Sequence, residues 1–478
     1  KALWALSDVP RVLSDAGIAR MLMHDLSPRH GLTNYEGIEG LTGASVMTID
    51  ASGGGTRKSY WEPHADPAHE GRDEKYYTQA YRDILGEAVS CRLRRITAPA
   101  GLLMSGGYDS AAIAALSGPE MRRQGRKLLA VCSAMPEDYR GTIRHARKWV
   151  EMCRRDMPYL DVRYITREGK NIFSDLELGF LQNDGGSGSY QFVQRELYAA
   201  AAAAGVRVIM DGYGGDQTLN PRGQTALARF LAIGQLARFG REFRAHRAAT
   251  GRSFWHTLKN DVLAVLLPPA FMRAWHRMRH GATPPWRDQP VNSEFGKRMI
   301  ADGSIQTERL RTSERKDIDL IGHMQSAFTR KLASPGSTST AAAHGLESTQ
   351  PFFDKRVVEL ALAIPPDLHV KNGRNRYLAC RALADLYPPE FQTRWRMNDD
   401  QVPDFQRMAK SIEPEILAEL ARMEKSGALA RYVDFDKIRQ LLAVRGPDDH
   451  NSGWEEETQV AVGGFVTARF IEWFRGYN

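Results

Sequence analysis

The stretch GLLMSGGYDS, residues 101–110, decides the fold of this chain. It begins with apolar residues typical of a short buried strand, turns through Gly106 and Gly107, and runs into the start of a predicted helix. Two adjacent glycines let the backbone turn tightly, so that its N–H groups can face an anion, and a helix N-terminus adds the positive end of its dipole. The stretch therefore predicts a strand, a phosphate-binding loop and a helix in succession.

Strands and helices alternate through residues 98–216. The pattern predicts strands at Gly101–Met104, Lys127–Ser133, Leu160–Ile165 and Val206–Met210, and helices at Asp109–Leu116, Ile143–Met152 and Phe192–Ala204. This alternation predicts an α/β fold, in which a parallel sheet carries helices on both faces. Ligands of such sheets bind outside the carboxyl ends of the strands, so we expect the functional residues directly after each strand.

Length and composition narrow the class of protein. The 478 residues suffice for two or three domains. With 42% apolar and 26% charged residues, the chain has the composition of a globular protein rather than of a disordered, collagen-like or coiled-coil one. A formal net charge of +8 is too small to indicate a nucleic-acid-binding protein by itself.

The cysteines and the apolar runs exclude further classes. The four cysteines are Cys91, Cys132, Cys153 and Cys380. None forms a CxxC pair, so neither a zinc site nor a disulfide framework is predicted, and a reducing cytoplasm is the expected location. The longest strongly apolar run, residues 262–272, contains two prolines and falls short of the about 20 residues that span a bilayer. Neither a transmembrane helix nor a signal peptide is predicted.

Shifts in pattern predict two domains. Residues 1–66 hold short apolar stretches and glycine-rich turns, which favour a small β-rich domain; since the chain begins with Lys1, we expect the start of that domain to belong to a longer protein. Residues 76–478 are expected to form the second domain, with a basic helical insert around residues 221–340. In residues 221–280, eleven Lys and Arg stand against two acidic residues. The insert is either a docking surface for a peptide or partner protein, or a solvated helical face.

Carboxylates next to the phosphate loop indicate a metal ion. The segment DGYGGD, residues 211–216, follows the strand that ends at Met210, and Asp109 lies within the loop motif itself. A carboxylate repels a bound phosphate unless a cation bridges the two, and Mg²⁺ is commonly bound by carboxylates together with phosphates. We therefore predict that Asp109 and Asp216 hold Mg²⁺.

The two glycine-rich motifs resemble those of a known superfamily. SGGYDS resembles the SGGxDS pyrophosphate loop of the ATP pyrophosphatases, which split ATP into AMP and pyrophosphate, and DGYGGD resembles the G-x-G-[SG]-D segment of the asparagine synthetase class. The resemblance implies an adenine nucleotide α-hydrolase-like synthetase domain with a helical C-terminal part. It also implies that ATP is bound by Met104, Ser105, Gly106, Gly107, Asp109, Ser110, Asp211 and Gly212.

Tyr213 and Glu347 take their expected roles from the same resemblance. Tyr213 stands where asparagine synthetases typically have Glu. The β-lactam and carbapenam synthetases have Tyr there, paired with a Glu, and the pair deprotonates an amine that attacks an acyl-adenylate. GLESTQPFFD, residues 345–354, is similar to the GxExRxPFLD stretch of the class. This match implies that Glu347 is the catalytic partner of Tyr213.

Two other segments extend the resemblance. RWR, residues 394–396, is similar to an R-x-K segment whose Lys contacts the phosphates, which implies Arg396 in that catalytic role. TNYEGI, residues 33–38, and YWEP, residues 60–63, resemble the end of the glutaminase-like domain of this class. A working glutaminase carries an N-terminal Cys, whose presence the chain from Lys1 onward leaves open.

The whole pattern most resembles the lasso peptide cyclases, through Tyr213, the long basic insert before Glu347, and LSDVPRVL at residues 6–13. The resemblance implies that ATP adenylates an Asp or Glu side chain of a ribosomal peptide, and that the N-terminal amine of the same peptide closes a macrolactam, with release of AMP and pyrophosphate. The implied partners are the precursor core peptide, a leader peptidase and a leader-recognition protein, with no nucleic acid.

Three other functions stay open from the sequence. Tyr213 argues against a glutamine- or ammonia-dependent amidotransferase of the asparagine synthetase type. The length of the insert argues against a small-molecule β-lactam synthetase. The intact SGGYDS motif together with Asp216 argues against a non-catalytic binding protein on the same scaffold.

Overall fold

The structure is a computed structural model that describes residues 2–23, 33–141, 143, 145–183, 191–221, 223, 225–267, 271, 274, 278, 286–305, 336–394, 404–444 and 456–477. Its strands in these ranges are β1 Ser45–Ile49, β2 Gly55–Ser59, β3 Ala100–Leu103, β4 Leu128–Ser133, β5 Leu160–Ile165, β6 Val208–Asp211, β7 Glu347–Thr349, β8 Val370–Lys371 and β9 Arg374–Asn375.

The helices of the described ranges are α1 Asp15–Leu22, α2 Glu74–Leu93, α3 Tyr108–Gln124, α4 Arg147–Asp156, α5 Leu176–Asn183, α6 Gln191–Ala203, α7 Ala226–Ala232, α8 Leu236–Thr250, α9 Phe254–Thr257, α10 Ala264–Leu266, α11 Ser293–Ala301, α12 Gly336–Ala343, α13 Lys355–Ala363, α14 Tyr377–Ala382, α15 Phe405–Ser411, α16 Glu413–Lys425, α17 Phe435–Leu442 and α18 Glu456–Tyr477. A π-helical turn, Leu258–Leu263, joins α9 to α10.

A five-stranded parallel sheet forms the centre of the fold. Its strand order is β5-β4-β3-β6-β7, and every neighbouring pair is parallel. From β3 the chain moves outward through β4 to β5, and then returns to the other side of β3 as β6. The predicted α/β fold is therefore confirmed, and the switch point between β3 and β6 is where such sheets open a ligand crevice. The fifth strand, β7, was not among the predicted strands.

Helices cover both faces of the sheet because side chains alternate along each strand. In β4, Leu129 and Val131 belong to one hydrophobic core, whereas Leu128, Ala130 and Cys132 belong to the other. The first core also contains α6 and the C-terminal helices, and the second contains α2, α3 and α13. Burial on both faces explains why β3 and β4 show continuous apolar runs rather than alternation in the sequence.

The first residues of the chain pack onto its last helix. The ring of Trp4 lies 5.5 Å from Phe474 of α18 and 4.8 Å from Tyr35, so these residues share one core with the C-terminal helices. β1 and β2 form an antiparallel hairpin whose side chains are largely exposed. A domain boundary near residue 66 stays a prediction.

Part of the basic insert forms a small helical unit of its own. Leu227, Phe243 and Val262 build its core. Glu242 of α8 is fully buried, and its Oε2 accepts a hydrogen bond from the backbone N of Gly373 at 2.7 Å. This bond anchors the unit to the turn between β8 and β9.

Two observations concern membrane-spanning helices and the state of the cysteines. In the described ranges, no helix is both long and apolar enough to cross a membrane. All four cysteines are free thiols, and three of them are buried.

We expect the protein to lose stability in mild acid because of a buried histidine. His369 is 1% exposed, and burial lowers its pKa from an ordinary 6.5 to about 4. Between these values the unfolded chain binds a proton that the folded chain does not. The free energy of unfolding should therefore fall as pH drops from about 6.5 towards 4, by on the order of 3 kcal/mol.

Thermal melts across this pH range check the expectation. His369→Leu should flatten the dependence of the melting temperature on pH, whereas the same change at the exposed His256 should leave it as in the parent. An unchanged slope in His369→Leu would contradict the assignment.

Candidate active site

The loop between β3 and α3 has the geometry of an anion cradle. Gly106 adopts φ +71°, a left-handed conformation that favours glycine, and Gly107 precedes α3 without a side-chain cap. The helix is 17 residues long, so its uncapped N-terminus carries the positive end of a full helix dipole. Two hydroxyls hold the loop: Ser110 Oγ accepts from the backbone N of Ser105, and Ser105 Oγ accepts from the backbone N of Gly107, each at 3.3 Å.

The glycine-rich segment after β6 lies directly on this loop. A Cβ at Gly215 would lie 2.3 Å from Cγ of Asp109, and a Cβ at Gly212 would lie 2.8 Å from the backbone N of Ser110. Only hydrogen fits at either place without a shift of the neighbouring atoms. The structure therefore brings the motifs at residues 104–110 and 211–216 together at the carboxyl ends of β3 and β6.

Asp109 is held by two residues that sequence reasoning missed. Its Oδ1 accepts a hydrogen bond from Asn220 Nδ2 at 2.5 Å, and Asn220 Oδ1 accepts one from the hydroxyl of Tyr81 at 2.7 Å. Burial, with the charge of Asp109 nearby, raises the pKa of Tyr81 well above its ordinary value, so this phenol stays a donor. The chain Tyr81–Asn220–Asp109 fixes the carboxylate beside the loop.

Asp216 is paired with a buried arginine. Arg376 Nη2 donates to Asp216 Oδ1, and the side chain of Arg376 is 1% exposed. Burial lowers the pKa of Arg376, but the charges of Asp216 and Asp109 outweigh it and raise the pKa. Arg376 also has φ +52°, a strained conformation for a residue with a side chain. The two predicted metal ligands therefore face one guanidinium group.

A second buried arginine braces the phosphate loop. Arg394 Nη1 donates to the carbonyl of Gly106 at 2.5 Å, and its guanidinium group lies 3.8 Å from the ring of Trp149. The carbonyl of Arg394 accepts a hydrogen bond from the hydroxyl of Tyr108 at 3.0 Å. The loop is thus fixed from α3, from α4 and from the segment after α14. Arg396, predicted to contact the phosphates, lies outside the described residues.

The family model for asparagine synthase matches residues 80–475, a range that contains the phosphate loop, the acidic segment and both buried arginines. The chain belongs to the asparagine synthase family. Members of this family form amide bonds with ATP and typically use Mg²⁺, so the chain is an ATP-dependent amide-bond-forming synthetase. No curated protein matches it.

In this asparagine synthase family member, the carboxylate oxygens beside the phosphate loop suit Mg²⁺. Asp109 and Asp216 offer carboxylate oxygens, and no group of three or more His, Cys, Asp or Glu in the described part of the chain could hold a metal by itself. Mg²⁺ is usually held by one or two carboxylates, with phosphate oxygens and water as its other ligands. A pair of carboxylates is therefore enough, and the bound ion would offset the negative charge of the ATP phosphates.

Tyr213 follows β6 at the edge of the sheet that carries the phosphate loop. Its backbone N donates to Asp211 Oδ1 at 3.0 Å, and its ring lies 5.8 Å from that of Phe353. The side chain is 49% exposed. Its neighbour Gly212 packs against the backbone of Ser110, so the chain at Tyr213 runs beside the phosphate loop.

The structure does not bring Glu347 to Tyr213. Glu347 is the first residue of β7 and lies opposite Val208, the first residue of β6, whereas Tyr213 follows the last residue of β6. At about 3.3 Å per residue, the three steps from Val208 to Asp211 place Glu347 roughly 10 Å from the carboxyl edge of the sheet. A hydrogen bond needs about 3 Å. This register argues against the expected Tyr213–Glu347 pair, which stays a prediction.

An arginine of α2 contacts the position where the asparagine synthetase class has Arg in its GxExRxPFLD stretch. This position is Thr349, and its Oγ1 accepts a hydrogen bond from Arg92 Nε at 2.7 Å. Arg92 Nη1 also pairs with Asp354 at 3.0 Å. Burial raises the pKa of Asp354, but hydrogen bonds from Arg356 and Arg92 outweigh it and lower the pKa, so the carboxylate stays ionised. The guanidinium group of Arg92, from a distant part of the chain, thus lies next to Thr349, where the motif of this chain lacks the Arg of the class.

Proposed function

We propose that this synthetase closes a macrolactam in a ribosomal peptide. In the first step an Asp or Glu side chain of the peptide attacks the α-phosphorus of ATP, which forms an acyl-adenylate and releases pyrophosphate. In the second step the N-terminal amine of the same peptide attacks the acyl carbon. The C–N bond forms, the C–O bond to AMP breaks, one carboxylate oxygen leaves with AMP, and the ammonium group gives up two protons.

We assign a different role in the two steps to each group of residues around the phosphate loop. The N-terminus of α3 binds phosphate oxygens through its backbone N–H groups, and the hydroxyls of Ser105 and Ser110 hold the loop in shape and can turn to a bound phosphate. Arg394 keeps the loop in shape through the carbonyl of Gly106. Asp109 and Asp216 are the proposed ligands of Mg²⁺. The remaining task is to hold the amine against the acyl-adenylate, which is an effect of proximity and orientation.

The observation that carries the proposal is the position of Tyr213. Its half-exposed side chain follows the carboxyl end of β6, and the adjacent Gly212 packs against Ser110 of the phosphate loop. The neighbouring ring of Phe353 gives this edge of the crevice an apolar wall, which suits a peptide better than free ammonia. The resemblance of the whole chain to the lasso peptide cyclases supports the same conclusion, and the leader peptidase and leader-recognition protein belong to this proposal as partners.

Pyrophosphate and peptide product, measured in the same reaction, test the proposal. With ATP, Mg²⁺ and a core peptide that has an N-terminal Gly and an acidic residue further along, we expect pyrophosphate, AMP and a product lighter than the peptide by one water molecule. A matched peptide with Asn or Gln in place of the acidic residue should release no pyrophosphate above background.

Other outcomes contradict the macrolactam and identify its alternatives. A product that incorporates added ammonia instead of the peptide amine indicates an amidotransferase of the asparagine synthetase type. Pyrophosphate release with small amino acid derivatives but not with peptides indicates a small-molecule synthetase. If the chain alone is inactive, the reaction is repeated with a leader peptidase and a leader-recognition protein added. Continued absence of the cyclic product contradicts the proposal.

A further inference from the structure

The helical unit of the insert presents only positive charge to solvent. Residues 225–267, all of them described, contain seven Arg and Lys but only two acidic residues. Both acidic side chains are buried, Glu242 at 0% and Asp261 at 4% exposure. Glu242 binds the backbone N of Gly373, and Asp261 pairs with Arg252 at 3.1 Å. Both negative charges therefore lie in buried contacts, whereas several of the cations, Arg241 and Arg244 among them, are exposed.

Three arginines form a stripe along α8. Arg241, Arg244 and Arg247 follow one another at three-residue steps, which makes them neighbours on the helix. Arg244 donates to the carbonyl of Gly240 and Arg247 to that of Arg252, and no carboxylate of the described residues pairs with either. Like charges at this spacing destabilise a helix. Arg241 lies 3.4 Å from the buried Glu242 and offsets its charge, whereas no such ion pair among the described residues explains Arg244 and Arg247.

Two exposed aromatic rings continue the stripe. Phe254 is 45% exposed and Trp255 is 75% exposed. The guanidinium group of Arg247 lies 5.7 Å from the ring of Phe254, which in turn lies 5.3 Å from Phe243 in the core and 5.3 Å from Trp255. The rings are thus held by the core while their faces meet water, as in protein surfaces that bind a partner. We name Arg241, Arg244, Arg247, Phe254 and Trp255 the basic–aromatic surface.

We propose that the basic–aromatic surface binds an acidic segment of the substrate peptide that also carries apolar side chains and lies outside the residues that form the ring. This inference rests on the proposed function, because it assigns a second binding site to the same peptide. Carboxylates of the segment pair with the arginine guanidinium groups, which accept the two oxygens of a carboxylate in a fork geometry. Apolar side chains of the segment cover Phe254 and Trp255.

The attachment of α8 favours a peptide over a lipid surface or a nucleic acid. A Cβ at Gly373 would lie 2.4 Å from the backbone of Ala245, so the turn between β8 and β9 is in tight contact with α8 as well as bonded to Glu242. Three residues further along, Arg376 pairs with Asp216 beside the phosphate loop. A segment bound on α8 is therefore held next to the turn that leads to Arg376, which restricts where the rest of the same peptide can reach.

Binding of a synthetic peptide without ATP tests this surface. The probe is a fluorescent peptide rich in Asp and Glu with two Leu, and its affinity for the full chain should fall as salt rises. The variant with Arg241→Glu, Arg244→Glu and Arg247→Glu should bind it on the order of tenfold more weakly or worse, and Trp255→Ala should also weaken it. A control with Arg57→Glu, Lys58→Glu and Lys425→Glu changes the net charge equally at exposed positions elsewhere and should bind as the parent does.

The outcomes that would overturn the basic–aromatic surface differ from those that would overturn the proposed function. Equal loss of binding in both triple variants would show a general charge effect and overturn the proposal. So would tight binding to vesicles with anionic lipid or to single-stranded RNA with no binding of the acidic peptide. Pyrophosphate release with a core peptide alone, measured on the same variants, reports on the synthetase reaction separately. Absence of that reaction in the parent, also with the leader peptidase and the leader-recognition protein added, overturns the proposed function, whereas its presence with no binding of the probe overturns only the surface.

Discussion

Asp109→Asn and Asp216→Asn are each expected to lower peptide-dependent pyrophosphate release by roughly 100-fold or more. Each change removes one negative charge from the pair that we propose to hold Mg²⁺, while the side chain keeps its shape. An Asn at position 109 can still accept the hydrogen bond from Asn220, so we expect the loop to stay folded. The loss should persist when Mg²⁺ is raised, because the missing charge is part of the site.

The melting temperature with and without ATP and Mg²⁺ separates binding from folding. The parent should be stabilised by the pair of ligands, since ligands that bind only the folded state raise its stability. Asp109→Asn should keep the ligand-free melting temperature and lose this increase. Asp216→Asn should also melt earlier without ligands, because it removes the ion pair between Asp216 and the buried Arg376. Asp161→Asn, at an exposed position of β5, is the matched control and should behave as the parent. Unchanged pyrophosphate release in either loop variant would contradict the metal assignment.

The parts of this site that local sequence could predict are those built from neighbours in the chain. The strand, the turn at Gly106 and Gly107, and the start of α3 all lie within ten residues, so apolar pattern and glycine positions predict them. The parallel sheet follows from the alternation of strands and helices, and it places residues 211–216 at the same edge. These predictions succeed because a few neighbouring residues determine the local backbone conformation on which they depend.

The parts that sequence reasoning missed depend on contacts between distant segments. Asn220 reaches Asp109, Arg376 reaches Asp216, and Arg394 reaches Gly106, each through tertiary packing that no local pattern records. The position of Glu347 depends on long-range pairing in the same way. A motif match identifies the type of residue, but its depth in the sheet is set by the register of β7 against β6, which places Glu347 opposite Val208.

Tyr213→Phe is expected to keep pyrophosphate release within a few-fold of the parent while the cyclic product falls by on the order of 100-fold or more. Adenylation needs the phosphate loop and its cation but no contact with an amine. Ring closure needs the N-terminal ammonium group to lose a proton, and near neutral pH an ordinary α-amino group, with a pKa of about 7.7–8.0, is mostly protonated. We assign the hydroxyl of Tyr213 as the group that receives and orients this amine.

Glu347→Gln distinguishes the structure from the motif match. If Tyr213 and Glu347 acted as a catalytic pair, the two single variants would lose the cyclic product equally, and the double variant would be little worse than either, because residues that act as a unit are not additive. The register of β7 instead places Glu347 roughly 10 Å from the carboxyl edge, at an exposed position. We therefore expect Glu347→Gln to release pyrophosphate and form the cyclic product as the parent does, while Tyr213→Phe loses only the product. Pyrophosphate and cyclic peptide measured together decide between these outcomes, since a shared loss in both variants would mean that Glu347 reaches Tyr213 when the peptide is bound.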